Sequence, residues 1–233
     1  MTETVAAPRA RVQGASPAEV LALLPGMGKV MVIASANGVT FERIGPVEQV
    51  VQDGPVLCVQ GACHDASIDP SALESVEVDH SSVMRDKVYP RLDFLDGDGR
   101  TVVSVVGMDG AAPFDAAIAG LLRNPVAPKA KDPAETRPDL ATEDPALVPF
   151  ALLQDLEADV HMTFDTPGLA QGWRGKVQAV KPAMGFLNVM TPDFHLHLQG
   201  GTVSGWAASS GERRALGPDG VPTGLILRSA IFA

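Results

Sequence analysis

The sequence predicts an α+β fold made of two tandem structural repeats, each an antiparallel β-sheet meander with flanking helices. Short apolar runs separated by glycine and proline turns recur along most of the 233 residues, which is typical of antiparallel strands. The runs beginning at Val30 and Val160 carry the same pattern at an offset of 130 residues. A recurring unit of this length indicates a duplicated supersecondary structure.

A proline-rich stretch divides the two predicted repeats. Residues 17–125 are predicted as the N-terminal repeat and residues 150–233 as a shortened C-terminal repeat. Residues 126–149 are rich in proline and charge and poor in apolar side chains, so they are predicted as a linker. Residues 1–16 are aperiodic and are predicted as a loose arm.

The first repeat is predicted to begin with a helix over residues 18–24, because Ser16 is a good N-cap and Pro17 suits the first turn. Asn37-Gly38 is a strong hairpin signal between two apolar runs. Strands are predicted at residues 30–33, 39–44, 47–51, 56–59, 76–78, 92–95 and 101–106, followed by a closing helix at 114–122.

The second repeat is predicted to begin with a helix over residues 149–157 and to continue as strands from Val160. Leu225 and Leu227 are interpreted as counterparts of Leu92 and Phe94 in the first repeat. The chain then ends without a further turn, long final strand or closing helix. An open sheet edge would favour association, so a homodimer is one expected assembly.

Composition excludes several classes of partner. The net charge is −10 and the sequence pI is about 4.9, which argues against nucleic acid. No apolar stretch approaches the roughly 18 residues of a membrane-spanning helix. The N-terminus lacks the apolar core of a secretory signal, so a cytoplasmic location is expected. Cys58 and Cys63 are interpreted as ordinary reduced thiols, and no metal site is predicted.

His195 and His197 stand two residues apart on a predicted strand, so both side chains project from one face of the sheet. Such a pair can hold a metal ion or contact one face of a porphyrin. A structural or solvent-facing role is the favoured interpretation.

A longer pattern in the second repeat resembles a known family. Residues Gly168 to Gly175 read Gly-Leu-Ala-Gln-Gly-Trp-Arg-Gly, and residues 185–198 contain Gly-Phe-Leu-Asn and Pro-Asp-Phe-His-Leu-His-Leu, followed by Trp206. These motifs and spacings resemble the C-terminal half of the bacterial haemin-utilisation family, the haemin-degrading factors and haem carriers of the HemS/ChuX type. The resemblance covers residues 20–125 and 158–228 and implies a haem-related function.

The positions that bind haem in that family are mostly replaced here. The family places its iron-ligating His on a helix joining the halves, and residues 124–157 contain no His. Ser71 or Pro70 stands where the resemblance places an Arg, and the family's Arg and His on the first strand pair fall near Ser35 and Phe41. Ser209-Ser210 stands where the resemblance places a basic segment, whose charge Arg213 and Arg214 in a short insertion nearby could replace. Any haem binding is therefore expected to be weak.

Four other residues are predicted as haem-binding. His80 follows Asp79 in a pocket-forming region of the first repeat, and His161 lies on the first strand of the second repeat; both are candidate replacement ligands for iron. A polar loop around His80 and a packing or surface role for His161 are the favoured alternatives. Arg85 and His197 complete the set. No catalytic residue is assigned.

The predicted function is binding of haem, a related tetrapyrrole or a hydrophobic small molecule, in a carrier or storage role in bacterial haem-iron utilisation. Two alternatives stay open: a haem-degrading enzyme, and a structural or interaction module of the same fold that no longer binds haem.

Overall fold

The computed structural model describes residues 8–129 and 139–233. The first repeat contains twelve strands. In chain order they are β1 (Arg9–Gln13), β2 (Lys29–Ala36), β3 (Val39–Pro46), β4 (Gln49–Asp53), β5 (Val56–Gly61), β6 (His64–Ile68), β7 (Ser75–Asp79), β8 (Val83–Met84), β9 (Lys87–Val88), β10 (Arg91–Leu95), β11 (Thr101–Gly107) and β12 (Leu122–Pro125).

The second repeat contains eight strands. They are β13 (Asp159–Thr166), β14 (Leu169–Lys176), β15 (Lys181–Ala183), β16 (Phe186–Met190), β17 (Phe194–Gln199), β18 (Gly205–Ser209), β19 (Glu212–Leu216) and β20 (Pro222–Arg228).

The helices are short and few. They are α1 (Pro17–Leu21), α2 (Ala111–Ala117) and α3 (Leu147–Asp155), with 3-10 turns at Leu24–Gly26, Pro70–Ala72 and Ala230–Phe232. The Ser16 side chain accepts from the Glu19 amide, and the Glu19 carboxylate accepts from the Ser16 amide, so the predicted capping residue is confirmed. All three predicted helices exist, with bounds shifted by a few residues.

Two large antiparallel sheets form the body of the protein, and each contains strands from both repeats. The first sheet has the order β12-β1-β7-β10-β11-β2-β3-β17-β16-β15, and the second has the order β18-β19-β20-β13-β14-β6-β5-β4. Strands β4–β6 of the first repeat extend the second sheet through β14, and strands β15–β17 of the second repeat extend the first sheet through β3. The two-repeat architecture is confirmed, and this exchange of three strands is an addition that the sequence did not reveal.

The 130-residue offset holds from β2 and β13 through β7 and β18. Gly38 and Gly168 occupy equivalent hairpin turns, both with positive φ (72° and 84°), which explains why glycine recurs there. Leu57 and Leu187 are likewise buried on the equivalent strands β5 and β16.

The interpretation of the C-terminus was wrong. Strand β20 pairs with β13 in the same way as β11 pairs with β2, so β20 is the counterpart of β11. Leu225 and Leu227 lie on β20, and the long final strand is therefore present. The second repeat is shorter because, within the described residues, it lacks a counterpart of the β8–β9 hairpin and of helix α2. After β18, equivalent strands of the two repeats are therefore separated by fewer than 130 residues, and an alignment without gaps fails there.

The predicted loose arm also needs correction. Residues 9–13 form β1, which pairs with β7 on one side and β12 on the other, so the arm completes the first sheet. Residues 1–7 of that arm and residues 130–138 of the predicted linker lie outside the described part of the chain.

One hydrophobic core joins the inner faces of the two sheets and the buried sides of the helices, including Val20, Phe114 and Phe150. Its largest fully buried side chains are mostly phenylalanine and leucine, among them Phe41, Phe94, Phe164 and Phe194. No helix in residues 8–129 and 139–233 is long and apolar enough to cross a membrane. The outer faces of both sheets carry polar side chains, and these faces hold the candidate sites.

Candidate functional site

Three adjacent strands of the second sheet place a basic row on its outer face. His161 on β13 lies directly opposite Arg174 on β14 and directly opposite Arg228 on β20. Side chains opposite one another in antiparallel strands project from the same face, so the histidine lies between two guanidinium groups. This arrangement concentrates positive charge on a protein whose net charge is −10.

The His161 ring is confined within this row. Its Nε2 atom is buried and has no hydrogen-bond partner among the described residues. A Cβ at Gly172 would lie 3.3 Å from that nitrogen and 3.1 Å from Oδ2 of Asp65, so glycine leaves space beside the ring. Four other buried side-chain atoms of the described residues also have no partner, so this feature alone does not indicate a function.

Burial lowers the pKa of His161, and the nearby positive charges of Arg174 and Arg228 lower this pKa further, while Asp65 acts in the opposite direction. The imidazole therefore stays neutral to lower pH than an ordinary histidine. A neutral imidazole keeps a nitrogen lone pair, which is the form that ligates a metal.

The two arginines differ in how strongly they are held. The Arg228 Nε donates to Glu212 at 2.8 Å, and its guanidinium also donates to the Thr163 hydroxyl at 3.2 Å. Arg174 is exposed and has no ion pair with any residue of the described ranges. Both arginines and His161 line a cleft of about 620 Å³, bounded also by Gly175, Gly211 and Ser229. Among the residues that the structure describes, the cleft thus combines an unpaired Arg174, an anchored Arg228 and an imidazole whose pKa is lowered.

His80 and Arg85 lie at the far end of the first sheet. His80 follows β7, and its Nε2 lies 2.7 Å from Oδ1 of Asp115 on helix α2. Arg85 lies in the turn of the β8–β9 hairpin with φ of 49°. The carboxylate that contacts His80 is therefore that of Asp115 and not that of its sequence neighbour Asp79.

His197 belongs to a separate cluster on the outer face of the first sheet. Its Nε2 lies 3.8 Å from Glu42 Oε2, and its Nδ1 lies 2.6 Å from Asn188 Oδ1. Nδ1 of His195 lies 3.1 Å from the same Glu42 oxygen. Burial favours a higher pKa of Glu42, but the hydrogen bonds and charges of the two histidines together outweigh burial and lower this pKa to about 2.

The four predicted haem-binding residues do not form one site. His161 lies in the second sheet, whereas His80 and His197 lie on or beside the first. Within the first sheet, β7 and β17 are separated by four intervening strands, or roughly 24 Å at the usual spacing of about 4.8 Å per strand. Of the four, His161 alone lies beside cationic groups in a cleft of ligand size.

The structure shows the surroundings of residues that stand at or near the haem-binding positions of the resembling family. Phe41 is fully buried and packs against Phe164 and Phe194, so it is a core residue. Ser71 lies in an exposed 3-10 turn. Arg213 and Arg214 lie in strand β19, directly before an irregularity in its pairing with β20.

Sequence reasoning missed the partners of the predicted residues. The cleft depends on Arg174 and Arg228, and the cluster around His197 depends on Glu42 and Asn188. Strand alternation gave the face of each side chain, but the partners required the pairings β20–β13 and β17–β3. A repeat comparison allowing a gap after β18 would have aligned β20 with β11 and predicted the first pairing.

Solved structures with the same fold are known. The haem oxygenase ChuS from Escherichia coli superposes with a TM-score of 0.75 at 16% identity, covering 95% of this chain and 83% of ChuS. The haem-binding protein PhuS from Pseudomonas aeruginosa superposes with TM-scores of 0.70 for the apo form and 0.71 for the holo form. Identity to PhuS is 17%, over 96% of this chain and 82% of PhuS. No family model and no curated protein matches the sequence. The likeness confirms the predicted haemin-utilisation-type fold.

Proposed function

We propose that this protein binds haem or a closely related anionic tetrapyrrole, in a carrier or storage role in bacterial haem-iron utilisation. The observation that carries the proposal is the position of His161 between Arg174 and Arg228, with all three residues lining one cleft. The fold shared with ChuS and PhuS supports the same class of ligand.

The chemistry of the cleft suits such a ligand. A neutral imidazole is a common axial ligand of haem iron, and guanidinium groups form charge-assisted hydrogen bonds with carboxylates such as propionates. The cleft volume of about 620 Å³ falls within the roughly 300–1,000 Å³ range of small-molecule sites. Because the cleft is open and the positions that bind haem in the resembling family are replaced, we expect weak binding.

Haem degradation is the second candidate function. The superposition on ChuS, whose structure is described as a haem oxygenase, is the observation that favours it. It requires bound iron that reacts with oxygen when electrons are supplied. Adding a reductant to the haemin-loaded protein separates the two functions, since release of carbon monoxide with loss of the Soret band indicates degradation.

Haemin titration of the full chain is expected to give one equivalent of binding with a shifted Soret band. His161→Ala should abolish the ligation-dependent shift. Arg174→Ala and Arg228→Ala should each weaken binding by roughly 10- to 100-fold, because a hydrogen bond to a charged group contributes about 1.5–3 kcal/mol. His80→Ala and His197→Ala are matched controls that should leave the spectrum unchanged.

Titration with iron-free protoporphyrin distinguishes the contribution of His161 from that of the two arginines. Its binding should survive His161→Ala but weaken in both arginine variants, because it presents propionates without a metal to ligate. The proposal fails if haemin produces no Soret shift, or if binding is unaffected by all three cleft substitutions. Binding of neutral hydrophobic molecules in preference to protoporphyrin would instead indicate a different ligand class.

We also propose that the protein acts in the cytoplasm as a homodimer. Both cysteines are free, which fits a reducing compartment. Strand β18 ends the second sheet and pairs only with β19 among the described strands, which leaves its outer edge available to a second copy. Light scattering is expected to give twice the chain mass of 24.3 kDa. A monomer that persists at high protein concentration would contradict the dimer.

A further inference from the structure

We propose that Glu42, His195 and His197 bind a divalent transition-metal ion, with Zn²⁺ as the first ion to test. The site lies on the outer face of the first sheet and is separate from the His161 cleft. Two imidazoles and one carboxylate form a donor set that suits zinc and iron and leaves coordination positions for water.

Strand pairing brings the three side chains together. His195 and His197 project from the same face of β17, and Glu42 on the neighbouring β3 lies directly opposite His195. β3 belongs to the first repeat and β17 to the second, so the exchange of strands between the repeats creates the cluster. One potential ligand atom from each residue lies within 4.8 Å of the others.

The distances are close to those of a coordinated ion. Tetrahedral zinc with bonds of about 2.0–2.1 Å places its ligand atoms about 3.3 Å apart. The Glu42 oxygen lies 3.1 Å from His195 Nδ1 and 3.8 Å from His197 Nε2, so these two distances bracket that value. Binding an ion requires side-chain rotations that bring all three ligand atoms, now within 4.8 Å of one another, to that spacing.

Asn188 fixes the orientation of the His197 ring. The Asn188 amide nitrogen donates to the Lys181 carbonyl at 2.8 Å, which turns its oxygen toward His197. The His197 Nδ1–H therefore donates to Asn188 Oδ1 at 2.6 Å and leaves a lone pair on Nε2, the atom that faces Glu42. Ligating histidines in metal sites are commonly held by a second hydrogen bond of this kind. Asn188 is thus a positioning residue.

The cluster is neither buried nor fully exposed. The side chains of Glu42, His195 and His197 are 13%, 21% and 27% exposed. An ion can enter from solvent and retain water in the remaining positions.

The test is Zn²⁺ titration of tag-free full-length protein by calorimetry and by competition with a chromophoric chelator. We expect one bound equivalent, and a loss of affinity of at least about 100-fold in His195→Ala and in His197→Ala. Asn188→Ala should weaken binding by roughly 10- to 100-fold, the usual effect of removing a supporting hydrogen bond. His80→Ala is the matched control. The His80 imidazole also contacts a carboxylate, that of Asp115, but among the described residues it belongs to no group of three potential metal ligands.

A tautomer measurement separates the positioning role of Asn188 from a structural one. Long-range ¹H–¹⁵N spectra should show His197 protonated on Nδ1 in the wild type and shifted toward Nε2 protonation in Asn188→Ala. His161→Ala should retain full zinc affinity, so failure of the haem proposal leaves this test intact. Absence of stoichiometric zinc binding, or zinc affinity unchanged in both His195→Ala and His197→Ala, would overturn the proposal.

Discussion

Phe194→Ala is expected to lower the free energy of unfolding by about 3–5 kcal/mol, the usual cost of removing a buried aromatic side chain. Phe194 is fully buried, and its ring stacks on Trp173 with centroids 4.5 Å apart and contacts Phe41 at 4.8 Å. Phe41 lies on β3 of the first repeat, whereas Phe194 and Trp173 belong to the second. The substitution therefore leaves a cavity where the two repeats join.

Urea unfolding followed by tryptophan fluorescence and by circular dichroism measures this effect. Because strands β15–β17 complete the sheet of the other repeat, both signals should shift together in a single transition. Met190→Ala is the control, since Met190 is 53% exposed on the adjacent strand and should change stability by less than about 0.5 kcal/mol. Separate transitions for the two repeats, or a loss under about 1 kcal/mol for Phe194→Ala, would contradict the shared core.

The double substitution Arg9→Met and Arg11→Met is also expected to cost about 3–5 kcal/mol, because it leaves a buried carboxylate without its cations. Both arginines on β1 form ion pairs with Glu77, whose side chain is only 4% exposed. Asp93, also buried, lies directly opposite Glu77 on β10. Without the arginines, two carboxyl groups face each other, and Arg91 remains paired with one of them, Asp93.

Comparison of related variants isolates the charge effect. Arg11→Met alone should cost less than about 1 kcal/mol, since Arg11 is 47% exposed and Arg9 remains paired with Glu77. Adding Glu77→Gln to the double variant should recover much of the loss, because the uncompensated charge is removed. If urea midpoints show no recovery, the cost comes from lost packing of β1 rather than from electrostatics.

The sequence by itself determined the duplication, the antiparallel strands and the hairpin turns. These features depend on local chemistry: Asn37-Gly38 favours a tight turn, and alternating apolar residues specify one buried face. It also identified His161 and the His195–His197 pair as residues of interest. The end of the second repeat was misread because the β8–β9 hairpin interrupts the ungapped offset, so Leu225 was aligned with the wrong strand.

Only the tertiary structure decided which strands meet. The pattern of a single strand specifies its buried face but not its neighbour, because an antiparallel partner is selected by packing across the whole sheet. Glu42 and His195 are 153 residues apart and become neighbours because β17 pairs with β3 rather than remaining in its own repeat's sheet. Arg228 reaches His161 through the pairing of β20 with β13. Both candidate sites therefore depend on long-range strand pairings that no local sequence pattern specifies.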